Sequence, residues 1–147
     1  MRLQPDLREF IELLNSEKVE YVIAGGWAFG FYAHPRFTQD LDIVVRTTPE
    51  NASRVISAIS RFGFRSLGLT DADFLVPGGI IQLGKAPNRI DLLTSLTGIE
   101  DDEIWKSRHA SELDDVPVFF LDKSLLIKNK TALGRPRDKS DVEELTD

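Results

Sequence analysis

Apolar and polar positions along the chain follow two repeat patterns, one typical of helices and one typical of strands. Helical spacing occurs over residues 5–16 and again after Thr48, where Pro49 suits a first turn and Gly63 would end the helix. The apolar positions of these two predicted helices are Leu7, Phe10, Ile11, Leu14, Val55, Ile56, Ile59 and Phe62. Both helices are interpreted as packing elements.

Short β-prone runs predict strands between the helices. They cover residues 21–24, a strand that begins at Asp40, residues 74–77, 80–83 and 89–93, with a turn at 85–88, and a last strand at 116–121. Further helices are predicted over residues 27–33, 99–106 and 123–133, and from about residue 137 to 145. The pattern therefore predicts an α/β (α+β) protein.

Two aspartates enter one of these apolar runs. Side chains two residues apart on a strand share a face, so Asp40 and Asp42 point the same way, about 7 Å apart along the strand. If the extended segment reaches back past Pro35, Arg36 and Thr38 join that face. Like charges this close raise each other's pKa unless a cation lies between them, and Mg²⁺ is the usual cation.

A third carboxylate lies on a later strand. Alternation over residues 89–93 places Arg89, Asp91 and Leu93 on one face of that strand. Asp91 is the additional ligand that a metal site would need. The alternative is that Asp91 only pairs with a neighbour such as Arg89.

Composition bounds the class of protein. A chain of 147 residues with 41% hydrophobic content predicts one domain over residues 1–147. There is no apolar run near 18 residues, which predicts no membrane span. The lack of cysteine excludes disulfides and thiolate zinc sites and agrees with a cytoplasmic location. A net charge of -6 argues against a surface devoted to nucleic acid.

The glycine pair Gly25-Gly26 lies between a predicted strand and a predicted helix. A strand, a glycine turn and a helix start aim free backbone N–H groups at an anion. In isolation such a pair is more often a plain turn.

An ordered set of residues resembles the nucleotidyltransferase superfamily. The set consists of Gly25-Gly26, then Arg36-x-Thr38-x-Asp40-Leu41-Asp42, then Asp91, then Lys130 with Arg135-x-Arg137-Asp138-x-x-Asp141. It is similar to the small bacterial group of toxin-type and antibiotic-modifying nucleotidyltransferases. The resemblance implies the nucleotidyltransferase fold, a mixed sheet flanked by helices with further helices at the C-terminus.

The resemblance also implies site roles. Asp40, Asp42 and Asp91 would be catalytic and would hold two Mg²⁺ ions, with Asp91 also able to accept the proton of the acceptor. The backbone of Gly25, Gly26 and Trp27 would bind the β- and γ-phosphates of a nucleoside triphosphate. Further contacts to the nucleotide or its loop would come from Arg36, Thr38 and Lys130. The alternative for Arg36 is a salt bridge that braces the loop. The alternative for Lys130 is a local salt bridge within a solvated pair of C-terminal helices.

One position departs from the superfamily pattern. Many members have a serine directly after the glycines, and here the residue is Trp27. Its indole would either stack on a base or fill the core, and phosphate binding would rely on main-chain N–H groups.

The resemblance implies an enzyme that moves a nucleoside monophosphate to a hydroxyl group with release of pyrophosphate. A protein or a small molecule ranks above an RNA end as acceptor, supplied to an open cleft or by a partner chain or homodimer. The alternative is a non-catalytic binding partner in a toxin–antitoxin-type pair, which Trp27 favours. A metal-dependent phosphohydrolase is a third class.

Overall fold

The sheet of this protein is mixed, with both parallel and antiparallel strand pairs. The computed structural model describes residues 2–38, 40–63, 68–84 and 88–147. Within them the strands are β1 (Tyr21–Ile23), β2 (Asp40–Val45), β3 (Ile80–Leu83), β4 (Arg89–Leu93), β5 (His109–Leu113) and β6 (Val116–Phe120). Their order is β3-β4-β2-β1-β6-β5. The β2–β4 and β1–β6 pairs are parallel, and the other pairs are antiparallel.

Helices cover both faces of the sheet. They are α1 (Pro5–Ser16), α2 (Gly25–Tyr32), α3 (Pro49–Phe62), α4 (Asp101–Lys106), α5 (Lys123–Leu133) and α6 (Pro136–Thr146). Helices α1 and α3 pack together, and Tyr21 of β1 donates a hydrogen bond to Asn15 of α1. Helices α2, α5 and α6 pack together on the face that carries Asp42. None of the helices in the described ranges is long and apolar enough to cross a membrane.

Local sequence explains the helix bounds. The Thr48 side chain accepts a hydrogen bond from Asn51 N, and Gly63 ends α3 in the left-handed region. The side chains predicted to face the core of α1 (Leu7, Phe10, Ile11 and Leu14) are buried. Rings of Phe10 and Phe62 meet edge to face between α1 and α3.

The fold class predicted from the sequence is confirmed, and β3, β4 and α5 have the predicted bounds. The predicted strand over residues 74–77 is wrong. Asp71–Phe74 is a short 3-10 helix there, because Thr70 and Asp73 cap each other's backbone N–H groups and turn the chain. The predicted turn at 85–88 lies, except for Asn88, outside the described residues.

One strand was not predicted. The strand β5 is polar and lies at the edge of the sheet, so it lacks the apolar alternation that indicates a half-buried strand. Asp114 and Asp115, both with positive φ, form the tight turn that joins β5 to β6.

Candidate active site

The three aspartates predicted from the sequence meet on one face of the sheet. Strands β2 and β4 are parallel neighbours, and Asp42 is the register partner of Asp91 while Asp40 is the partner of Arg89. Register partners project on the same side of a sheet. Asp40, Asp42 and Asp91 accordingly line one cavity of about 450 Å³.

Arg89 lies between two of these carboxylates. Its Nη2 is 3.2 Å from Asp40 Oδ2 and 2.9 Å from Asp91 Oδ2. The pairing of Asp91 with Arg89 that the sequence left open therefore exists, and it coexists with the convergence of the three acids.

Asp42 is the carboxylate with the least compensation. Burial, and then the charges of Asp91 and Asp40, raise the pKa of Asp42 from 3.8 to about 6. Asp91 is also buried, and its Oδ1 has no hydrogen-bond partner among the described residues. The site thus holds more negative charge than Arg89 neutralises.

These residues supply the oxygen donors that Mg²⁺ prefers, and the unpartnered Asp91 Oδ1 and the repulsion at Asp42 are both features that a cation would relieve. Among the described residues, however, no group of three acidic or histidine side chains has the geometry to bind a metal ion in the present conformation. The carboxylate oxygens are suitable ligands for a divalent ion, but in this conformation Asp40 and Asp91 are oriented toward the guanidinium of Arg89.

The glycine turn directly borders Asp42. Helix α2 begins at Gly25, whose φ is +59°, and a Cβ on this residue would overlap the Asp42 carboxylate. The cap residue Ala24 offers no side-chain hydrogen bond. The first N–H groups of a helix have no partners within it, so those of Gly25, Gly26 and Trp27 are available to an anion. Both glycines line the same cavity as the acids.

Trp27 has its indole away from that cavity. The side chain is buried, with 7% of the residue exposed, and it borders a separate cavity that is also lined by Pro35 and Phe37. Its Nε1 has no hydrogen-bond partner in the described part of the chain. The indole is a core residue here and does not lie where it could stack on a base in the acidic cavity.

Of the two residues predicted before β2, Thr38 lines the acidic cavity and Arg36 does not. Arg36 Nη2 donates to Asp141 Oδ1 at 2.6 Å, and the guanidinium lies over the Phe29 ring, 3.6 Å from its centroid. Arg36 therefore braces the loop through a salt bridge and is not among the residues that line the acidic cavity. Thr38 does line it, and its Oγ1 donates to Asp40 O at 3.2 Å, which fixes the approach to β2.

Lys130 reaches the acidic cavity from α5. Its Nζ lies 2.8 Å from Asp141 Oδ2 and 3.9 Å from Asp138 Oδ1, and the residue is 7% exposed. A buried lysine needs such partners, because an unpaired charge would be too costly. Lys130 is thus both paired and part of the cavity wall.

Three cationic residues of the cavity were not among the predicted site residues: Arg89, Arg135 and Arg137. The sequence contained signals for them. Arg89 stands two residues before Asp91, hence on the same face, and Arg135 has Asp138 three residues later, the spacing of a capping pair. In the structure Arg135 Nε donates to Asp138 Oδ2 at 2.6 Å.

Comparisons with known proteins agree with this geometry. Residues 6–77 match the model of the aminoglycoside-2''-adenylyltransferase family, a stretch that includes the glycine turn, Asp40 and Asp42. No curated protein sequence gives a significant match.

Solved structures resemble the whole chain. A Thermotoga maritima protein described as a nucleotidyltransferase has a TM-score of 0.64 at 16% identity, and the match covers 95% of this chain and 89% of that one. The lincosamide antibiotic adenylyltransferase LnuA, with lincomycin bound, has a TM-score of 0.61 at 12% identity, with 99% and 97% covered. ANT(2'')-Ia, in complex with adenylyl-2''-tobramycin, has a TM-score of 0.59 at 12% identity, with 95% and 84% covered.

The glycine turn, the Asp-x-Asp strand and the matching sheet define a nucleotidyltransferase fold. Residues 6–77 and the fold of the whole chain are similar to those of nucleotidyltransferases, which confirms the resemblance found in the sequence.

Proposed function

We propose that this protein is an enzyme that transfers a nucleoside monophosphate from a nucleoside triphosphate, with ATP as the first candidate, to a hydroxyl group of a small molecule. The new bond joins the acceptor oxygen to the α-phosphorus, the bond from that phosphorus to the bridging oxygen breaks, and pyrophosphate leaves. The observation that carries the proposal is the convergence of Asp40, Asp42 and Asp91 beside the start of α2. The names of LnuA and ANT(2'')-Ia, both tied to antibiotic adenylylation, support a small-molecule acceptor.

Asp40, Asp42 and Asp91 would hold divalent ions, with Mg²⁺ as the expected metal. When bound, such ions neutralise triphosphate charge and lower the pKa of the attacking hydroxyl. Asp91, whose Oδ1 is unpartnered in the described residues, would accept the proton that the hydroxyl loses.

The remaining groups would bind and orient the triphosphate. The N–H groups at the start of α2 would donate to the terminal phosphates, as helix N-termini do for anions. Lys130, Arg135 and Arg137 border the same cavity and would balance the charge of the departing pyrophosphate. Because Trp27 supplies no hydroxyl, this part of the site would depend on backbone donors.

A non-catalytic binding partner is the second candidate, and the ion pairs of Arg89 favour it, since they neutralise part of the acidic site without a metal. The raised pKa of Asp42 favours the enzyme, because a protein without catalysis gains nothing from keeping this uncompensated carboxylate.

Two measurements test the proposal. Thermal unfolding with Mg²⁺ and α,β-methylene-ATP should show stabilisation only when both are present, about 2.7 kcal/mol at a hundredfold excess over Kd. Incubation with α-labelled triphosphates and hydroxyl acceptors should then transfer label. Asp42→Ala should abolish transfer, while Asp102→Ala, an exposed acid on α4, should keep it. Transfer that survives Asp42→Ala would refute the mechanism.

A further inference from the structure

A second cavity, of about 350 Å³, adjoins the acidic one. The two share the wall formed by Gly25, Asp42, Lys130 and Arg135. The second cavity reaches from Ala24 and Gly25, at the start of α2, past Asp42 to Leu93 of β4 and Ile80 of β3. It is therefore continuous with the acidic cavity, and its end at β3 and β4 lies across β2 from the start of α2.

The described residues that line only the second cavity are all uncharged. Its large side chains are aliphatic: Ile80, Leu93, Leu96, Leu126 and Leu133. Ile80 is 68% exposed and Leu133 is 39% exposed, so apolar surface remains open at its mouth. Uncovered apolar surface in a concave site favours an apolar ligand group.

Uncharged polar groups complete the wall. Asn129 Nδ2 donates to Thr97 O at 2.9 Å, which fixes the amide and leaves its Oδ1 free of any partner in the described ranges. Ser95 Oγ accepts from Gly78 N at 2.8 Å, and Thr94 Oγ1 accepts from Gly79 N at 2.7 Å. These bonds hold the loop before β3 against the end of β4, so the cavity is formed before a ligand arrives.

We infer that this second cavity binds the acceptor, and that the acceptor is an uncharged, largely apolar small molecule that carries a hydroxyl group. The inference rests on the proposed function. In an in-line displacement the attacking oxygen and the leaving oxygen lie on opposite sides of phosphorus. With pyrophosphate at α2 and phosphorus at β2, the hydroxyl comes from the β4 side, where Leu93 follows Asp91 by two residues on the same face.

The charge of the wall excludes a polycation such as an aminoglycoside. Several ammonium groups would lose hydration in this cavity, and only Asp42, at its reactive end, could pair with one of them. Although part of the chain matches an aminoglycoside adenylyltransferase family, its acceptor is therefore of a different chemical class.

Backbone amide NMR of the ¹⁵N-labelled full chain tests this assignment without turnover. Butyl β-D-glucoside and cyclohexanol, titrated to tens of millimolar, should shift Gly78, Gly79, Ser95, Thr97 and the side-chain amide of Asn129, and tobramycin at equal ionic strength should not. The substitution Ile80→Glu should weaken glucoside binding about tenfold, because it brings a carboxylate into the apolar wall. Val76→Glu, also exposed but outside the cavity, is the matched control and should leave it unchanged.

Three results would overturn the inference: no shift at these amides with either uncharged compound, saturable binding of tobramycin at the same amides, or displacement of the glucoside by Mg²⁺ with α,β-methylene-ATP. The last result would assign the cavity to the nucleoside. Because none of these readouts needs catalysis, glucoside binding without label transfer would refute the proposed function and leave the cavity a binding site.

Discussion

At the scale of single residues, Asp42 combines a proposed catalytic role with a cost to stability. Its pKa is about 6 in the folded protein against 3.8 ordinarily, so between these values the folded state binds more protons than the unfolded state. Stability in the absence of metal should therefore fall as pH rises from about 4 to 6. Above pH 6 the full penalty, about 3 kcal/mol, is present.

Replacing Asp42 tests whether its charge lowers the stability of the folded protein. Asp42→Asn should raise the free energy of unfolding by about 3 kcal/mol at pH 7.5 in EDTA and have little effect at pH 4. Urea denaturation at several pH values measures it, with Asp102→Asn as an exposed control. An Asn variant that is no more stable than the wild type at pH 7.5 would contradict the proposed electrostatic cost.

Gly25 supports the site through its lack of a side chain. Gly25→Ala should destabilise the fold by about 3 kcal/mol or more, because it adds overlap with Asp42 to the strain of a positive φ. Gly134→Ala, at a φ of +65° but without such crowding, should cost about 1 kcal/mol. Denaturation of both variants compares these terms, and equal losses would show that contact with Asp42 does not matter.

Sequence reasoning reached the acids and one contact of their counterion, the pairing of Arg89 with Asp91. Alternation along a strand places Asp40 and Asp42 on one face of their strand and Asp91 on a face of a later strand. The resemblance to the nucleotidyltransferase superfamily predicts that the three carboxylates share one site. The second contact of Arg89, with Asp40, depends on the register of β2 against β4, a non-local pairing that no local pattern encodes. The same limit applies to Arg36, whose partner Asp141 lies on the last helix.

At the scale of elements, Asp141 joins three parts of the chain. It accepts hydrogen bonds from Lys130 of α5 and from Arg36 of the loop before β2. Burial disfavours its charge, but these two cations outweigh burial and hold the pKa of Asp141 below its ordinary value. The helix pair and the loop are thus positioned by one carboxylate.

Asp141→Asn should accordingly destabilise the protein by about 3 kcal/mol, since it leaves two buried or half-buried cations with a neutral partner. Glu143→Gln, an exposed change on the same helix, should have an effect within about 0.5 kcal/mol. Thermal and urea unfolding measure both variants. If the two substitutions cost the same, the ion pairs do not hold α6 in place.

Elements with a strong local signal were predictable. Helix α3 has a cap, a proline start and a glycine stop in its own sequence, and α5 and β4 have clear apolar positions. The strand predicted at 74–77 failed because the side chains of Thr70 and Asp73 compete for the backbone, and β5 was missed because its stability comes from pairing with β6.

At the scale of the whole molecule, the N-terminal strand β1 depends on a distant partner. β1 lies between β2 and β6, and Ile23 pairs with Phe120 almost a hundred residues later. Lys130 and Arg135 of the acidic cavity come from the same C-terminal part. We propose that the 147 residues fold as one cooperative unit.

A fragment ending at Arg108 tests this. Without β5, β6, α5 and α6, it should show no cooperative urea transition and little dispersion in its NMR spectrum, because one edge of β1 is uncovered and one face of the sheet loses α5 and α6. The full chain is the reference. A sharp transition in the fragment would show that the first part of the chain is an autonomous domain.

The late partner of β1 has a consequence for synthesis in cells. At about 5–20 residues per second, a ribosome needs roughly 5–20 s to deliver β6 after β1. During that interval the nascent chain presents an apolar strand with unpaired amide and carbonyl groups. Aggregation of the nascent chain during expression should therefore occur mainly in this interval. A chaperone that covers exposed strands would protect the chain until β6 has been synthesised.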